Sequence, residues 1–291
     1  MTETYGPVVA GVSLVRPELN GPVIEWAADE AAARALPLRI VHAQEWPRGT
    51  SPDAAPDHPA HVWSRHHRAA GEGLLEEVRA AAVARRPAVA VATELVAGRA
   101  VQALRDAAEK AALLVIGARR LTGVEGAFAG RGKAHALVGH LPCPAVLVPE
   151  PVLGVSRTAP VVVGVDGSPS AMGAVDLAFA EADAAGADLV AVSVRRPHAY
   201  GWVEYREDVQ LRLSEQLAGY RQRFPDMVVR HEILTGDPAL ELAAAARFAR
   251  CLVVGCRGRG GFKGLVLGST SRALVHHTYC PLVVTPAQRE D

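Results

Sequence analysis

Neither sign of charge is in surplus: 31 basic side chains face 31 acidic ones in 291 residues, a formal net charge of zero. A general nucleic-acid binder carries a basic surplus, so that class is excluded, although a local pocket for a small anion is not. Cysteine is scarce. Cys143, Cys251, Cys256 and Cys280 show no CxxC spacing, which excludes a disulfide-stapled scaffold and points to reduced thiols in the cytoplasm. No stretch reaches membrane-spanning length without charges. The opening "MTETYGPVVAGV" has no basic segment followed by a long apolar core, so no secretory leader is expected.

What is present suffices for two ordinary globular domains: 49% hydrophobic and 21% charged residues. The chain is also written twice. "PVVAGVS" (7–13) matches "PVVVGVD" (160–166), and "LPLRIVHA" (36–43) resembles "ADLVAVSV" (187–194). "AGRAVQAL" (97–104) matches "TGDPALEL" (235–242), "LLVIGARR" (113–120) matches "CLVVGCRG" (251–258), and "CPAVLVPEP" (143–151) matches "CPLVVTP" (280–286). Five matches in one order indicate an internal duplication. The Pro/Gly/Ser-rich "EPVLGVSRTAP" (150–160) reads as the linker, giving domains over 1–150 and 159–291.

Within each half, short Val/Ile/Leu runs alternate with Ala-rich segments of helical period. In the second half the pattern predicts strands over 161–165, 189–194, 228–234, 251–255 and 281–285. Helices are predicted over 169–185, 203–222, 237–249 and 269–277. Apolar strands without polar alternation, separated by helices, imply a parallel sheet covered on both faces. The fold class is α/β: two tandem doubly wound, Rossmann-like domains, each with a five-stranded sheet flanked by helices and the pair packed as a pseudo-dimer. A ligand crevice is then expected beyond the carboxyl ends of the strands.

The stretch "LVVGCRGRGGFKGLVLGST" (252–270) lies at such an end. Its glycines require either positive φ angles or the close approach of something to the backbone. A GxxxxGK[ST] loop is absent, since Ala127 stands where Gly132-Lys133 would need a glycine. A GxGxxG fingerprint fails at Lys263. What remains is Gly255-x2-Gly258-x9-Gly268-Ser269-Thr270. Gly268, Ser269 and Thr270 precede the helical "SRALVHH", so their amides form an anion-binding helix start, with Ser269 and Thr270 expected as caps and as hydroxyl donors.

This spacing, after that strand, resembles the ATP-binding signature G-x2-G-x9-G-[ST] of the universal stress protein family. "VVVGVDGS" and "CPLVV" support the resemblance, which covers essentially the whole chain as two tandem domains. It implies ATP, bound with Mg²⁺, as the ligand. Asp166, ending the strand that contains Gly164, matches the acidic residue at the nucleoside. Val194 matches the position whose backbone reads the adenine edge. Gly255, Arg257, Gly258, Gly268, Ser269, Thr270 and Ser271 match the phosphate-binding run. The function implied is a nucleotide-dependent stress-response regulator or sensor, not an enzyme, with at most slow ATP hydrolysis. Expected partners are a second copy of the chain and an unidentified protein, with no nucleic acid or membrane.

The first copy departs from the pattern. Ser13 stands for Asp166, Arg120 for the second glycine and Arg131 for the serine. Arginine at a positive-φ position is strained and its bulk fills phosphate space, so this half reads as a degenerate scaffold. The rival reading is an altered anion pocket lined by Arg119, Arg120 and Arg131.

The histidine-rich "DHPAHVWSRHHR" (57–68) fits no standard zinc spacing. It reads as a solvated, mobile insertion before a helix. The alternative function, an ATPase or nucleotidyl transferase of the wider α/β group, calls for a dedicated motif such as SGGxDS or HxGH. Neither string occurs.

Overall fold

The computed structural model describes residues 6–45, 55, 57–119, 137–150, 156, 158–196, 219–220, 222–258 and 267–287. The chain divides into two compact units, Met1–Gly117 with Leu141–Cys143, and Ala118–His140 with Pro144–Asp291.

The first unit contains β1 (Val8–Val12), α1 (Pro17–Ala33), β2 (Leu38–Gln44), α2 (Pro59–Arg85), β3 (Val91–Ala97), α3 (Ala100–Ala108) and most of β4 (Leu113–Arg119). Its strands are parallel, in the order β3-β2-β1-β4. The α1–α2 interface carries an ion cluster in which Asp29, its side chain only 9% exposed, accepts from Arg85 and Arg86.

The second unit takes in β5 (Ala145–Glu150), β6 (Val161–Gly164), α4 (Pro169–Ala185), β7 (Leu189–Arg195), β8 (Val229–Thr235), α5 (Pro238–Ala245), β9 (Cys251–Gly255), α6 (Ser269–His277) and β10 (Leu282–Thr285). Its strand order is β5-β10-β9-β6-β7-β8, parallel throughout except that β5 runs antiparallel to β10. β5 comes from the first copy of the repeat in sequence, yet it is counted in the compact unit of the second.

The composition explains the layering. β9 and β10 are buried at every residue, so their all-apolar runs are covered on both faces. β8 is outermost and exposes alternate positions, with Arg230 and Glu232 turned to solvent. Helix ends follow their punctuation. α4 starts with Pro169 after the N-cap Ser168, whose hydroxyl accepts from Ala171 N, and stops at Gly186 in the left-handed conformation, φ +59°.

The histidine-rich stretch corrects its expectation. Residues 59–68 are the first turns of α2. Pro59 opens the helix, the His58 ring accepts from Ala60 N at 3.1 Å, and Trp63 stacks on His67 one turn later with ring centroids 3.7 Å apart. Gln44 at the end of β2 ties this turn down by donating to Ser64 O at 2.7 Å. Most of the helix expected over 203–222 lies outside the described residues.

Candidate functional site

In the second unit the chain runs from β6 outward through β7 to β8, then crosses to β9 on the other side of β6. That reversal opens a crevice beyond the carboxyl ends of β6 and β9, where open α/β sheets take ligands. Asp166, Gly258, Gly268 and the start of α6 lie around it.

Asp166 follows β6. Its Oδ1 accepts from Ser168 N at 2.9 Å, closing a short turn in which Gly167 has φ +76°. Across the crevice comes the turn after β9: a Cβ built at Gly258 would stand 2.5 Å from Asp166 Oδ2. Gly268 lies against the same turn. Its N donates to Cys256 O at 2.7 Å, and a Cβ there would meet Cys256 O, Arg257 Cα and Gly258 N at 3.4, 3.5 and 3.7 Å. Among the described residues of the motif no glycine has a positive φ. These glycines serve close approach of backbone to backbone and to a carboxylate.

α6 begins at this point. Gly268 is its N-cap, and no side chain caps the helix. Ser269 and Thr270 are therefore its first two helical residues and not its caps, which corrects the capping expectation. The amides of the first turn keep their positive end of the helix dipole for an anion. Ser269 and Arg257 are exposed and Thr270 half-buried, all near the mouth, whereas Ser271 is buried and donates to Gly255 O at 2.7 Å. Residues 259–266 lie outside the described residues.

Two expected site residues have other surroundings. Val194 is half-buried and pairs with Leu234 on its β8 side, while the β6–β7 register ends at Gly164 opposite Val192. Its other backbone edge thus extends past the ladder toward the crevice. Gly164 lies within the sheet, where a Cβ would meet Leu242 Cδ1 and Val254 Cγ1, both at 3.2 Å. It admits α5 and β9 side chains.

In the first unit the counterpart of Gly255 is Gly117, which lies under α1. A Cβ at Gly117 would stand 2.8–3.2 Å from Cβ, Cδ1 and Cγ of Leu19, a buried side chain. Leu19 is the third residue of α1, and the third residue of α4 is Ala171, three carbons smaller. Where Asp166 stands in the second unit, Ser13 is gripped by the buried Asn20, which accepts from Ser13 N at 2.9 Å and donates to Ser13 O at 3.0 Å. Glu45 covers the start of α3 by accepting from Ala100 N at 3.1 Å. Arg120, Arg131 and the Arg119 side chain lie outside the described residues.

None of the four cysteines is in a disulfide, and all four are buried. Burial pushes the Cys143 thiol up to about 11 and the Cys280 thiol up to about 12, from an ordinary 9.0. The Cys256 thiol is also raised by burial, and the Arg257 charge acts against that. No group of three or more His, Cys, Asp or Glu among the described residues is arranged to hold a metal ion. No helix among them is long and apolar enough to cross a membrane.

The sequence profile of the universal stress protein family matches residues 4–149 and again 158–286. Two universal stress proteins of Mycobacterium tuberculosis are 32% and 30% identical to this chain, over 294 and 272 residues. Those alignments cover 90% and 89% of the chain, and 89% and 90% of the relatives. Among solved structures, a universal stress protein from Archaeoglobus fulgidus superimposes with a TM-score of 0.74 at 18% identity, covering 99% of this chain and 98% of that one. A putative universal stress protein from Pseudomonas aeruginosa does so with a TM-score of 0.61 at 16% identity, over 96% and 91%. At these identities the structures report a shared fold.

Proposed function

The chain belongs to the universal stress protein family, and on that premise we propose that its 159–291 half binds one ATP with Mg²⁺ and serves as a nucleotide-dependent regulator. The observation that carries this reading is the convergence of Asp166, Gly258 and the N-terminus of α6, with no side-chain cap, on one crevice at the strand-order reversal. A carboxylate at the end of β6 suits hydrogen bonding to ribose or adenine hydroxyl and amino groups. The Val194 backbone edge suits the adenine. A turn without side chains at Gly258 and Gly268, followed by exposed helix amides, suits a chain of phosphates. Arg257 and the hydroxyls of Ser269 and Thr270 add a cation and donors there. Bound Mg²⁺ neutralises phosphate charge.

On this reading the first half serves as scaffold: Leu19 packs on Gly117, the counterpart of Gly255, and Asn20 holds Ser13 where the second half has Asp166. Among the described residues the features around the crevice are the Asp166 carboxylate, the Arg257 cation, amides and hydroxyls, with no acid–base pair beside them, which fits a sensor more than a turnover enzyme. Its readout is a population shift that a second copy of the chain or another protein recognises. Cysteines outside any disulfide fit a reducing, cytoplasmic setting. Identifying and counting the nucleotide released on denaturing freshly purified protein tests the assignment. Adenine nucleotide at about one per chain supports it, and its absence together with no binding of added Mg-ATP overturns it.

A further inference from the structure

The signature would make Ser271 a phosphate contact, but its surroundings give it different work. It is the third residue of α6 and 5% exposed. A serine hydroxyl has one proton to donate, and that of Ser271 goes to the carbonyl of Gly255, the last residue of β9. Gly268 N makes a second bond of equal length to the next carbonyl, Cys256 O, both at 2.7 Å. Together they clasp the first turn of α6 to the turn leaving β9. That turn is held from its other side as well, since Cys256 N donates to Thr285 O at 3.0 Å and Thr285 Oγ1 lies 3.5 Å from Val254 O. The spacing between the helix amides and the Gly255–Gly258 turn is thus set before any ligand arrives.

We propose that Ser271 is a positioning residue which makes the site selective for phosphorylated nucleotides over nucleosides. Its hydroxyl holds the amides of residues 269–271 at a fixed distance from the Gly258 turn and does not itself touch the ligand. The inference rests on the nucleotide reading given above. Anion binding at a helix start depends on several amides pointing at one place, so loosening the clasp weakens phosphate recognition while the nucleoside contacts at Asp166 and Val194 remain.

The test compares Ser271→Ala, Ser271→Cys and Ser271→Thr in the full chain, by calorimetric titration with Mg-ATP and with adenosine. Amide hydrogen exchange of the α6 first turn in ligand-free protein is measured alongside. Ser271→Ala is expected to bind ATP about tenfold more weakly, the equivalent of one lost buried hydrogen bond, with adenosine affinity unchanged. Ser271→Cys, near in size but a weak donor, falls between, and Ser271→Thr keeps wild-type affinity. Exchange at Gly268 and Arg272, whose amides donate to Cys256 O and Gly268 O, should quicken in the Ala variant without ligand, which a direct phosphate contact would not cause. Unchanged ATP affinity, equal losses for ATP and adenosine, or unaltered exchange in ligand-free Ser271→Ala each overturns the inference. Failure of the wild-type protein to bind ATP overturns the nucleotide reading instead, and the exchange comparison still reports on the clasp.

Discussion

Asp166 and Gly258 meet across the crevice: a Cβ at 258 would stand 2.5 Å from Asp166 Oδ2, although the two residues belong to turns after different strands. The obstacle is the end of a half-exposed side chain. Gly258→Ala therefore pushes the carboxylate aside at small cost in stability but takes it from the nucleoside. Gly258→Val adds β-branching in the phosphate path. We expect ATP affinity to drop at least tenfold in both, with thermal midpoints close to wild type. Unaltered affinity in the Val variant would contradict the assignment of this turn to phosphate.

Asp166→Ala removes the carboxylate without adding bulk. If it makes charge-assisted hydrogen bonds to the nucleoside, the loss is about 1.5–3 kcal/mol, or roughly ten- to hundredfold in Kd. The same variant loses the Ser168 N acceptor, so circular dichroism is needed to show that α4 persists.

Leu19 over Gly117 carries the opposite role in the first half. Leu19→Ala should lower unfolding free energy by about 2–5 kcal/mol, the range for deleting a buried leucine side chain. It should leave the number of ATP molecules bound unchanged, because Asn20 still grips Ser13. Denaturant unfolding and calorimetry read the two expectations separately, and a second ATP in this variant would show that Leu19 alone closes the first crevice.

Cys143 and Cys280, pushed up to about 11 and about 12 by burial, tie stability to alkaline pH. Each thiol ionises in the unfolded chain near 9 but stays protonated in the fold, so the unfolded state binds fewer protons above pH 9. Their contribution is intact below about pH 9 and declines as pH rises toward the folded values. Urea midpoints should fall between about pH 8 and pH 10.5, and less so in a Cys143→Ser, Cys280→Ser protein compared with its own pH 8 value. Iodoacetamide should react slowly with the native chain at pH 8 and fast after unfolding.

The regulator reading proposed above predicts slow turnover. Multiple-turnover hydrolysis of Mg-ATP should stay below about 1 s⁻¹, the low end for ordinary enzymes. A faster rate would move the protein into the enzyme class.

Much of this was legible in the sequence because local rules and tertiary structure agree. The bounds of α4 follow from Ser168, Pro169 and Gly186, and the buried strands read as uninterrupted Val/Leu runs. α2 was missed at its start because four histidines among residues 58–67 resemble loop composition, while the Trp63–His67 stack and the Gln44 tether that fix the helix are spatial facts. The cap of α6 was placed at Ser269 and Thr270, one and two residues past Gly268, because Gly, Ser and Thr are all acceptable at that position. The inward turn of Ser271 and the packing of Leu19 on Gly117 depend on side-chain direction, which residue type does not encode.

Calorimetric titration of the full chain with Mg-ATP, beside the Asp166→Ala and Gly258→Val variants, tests the central claim most directly. One site per chain, weakened in both variants, is the result expected for a single nucleotide held in the second half. A stoichiometry of two, or one site that neither variant disturbs, would contradict it.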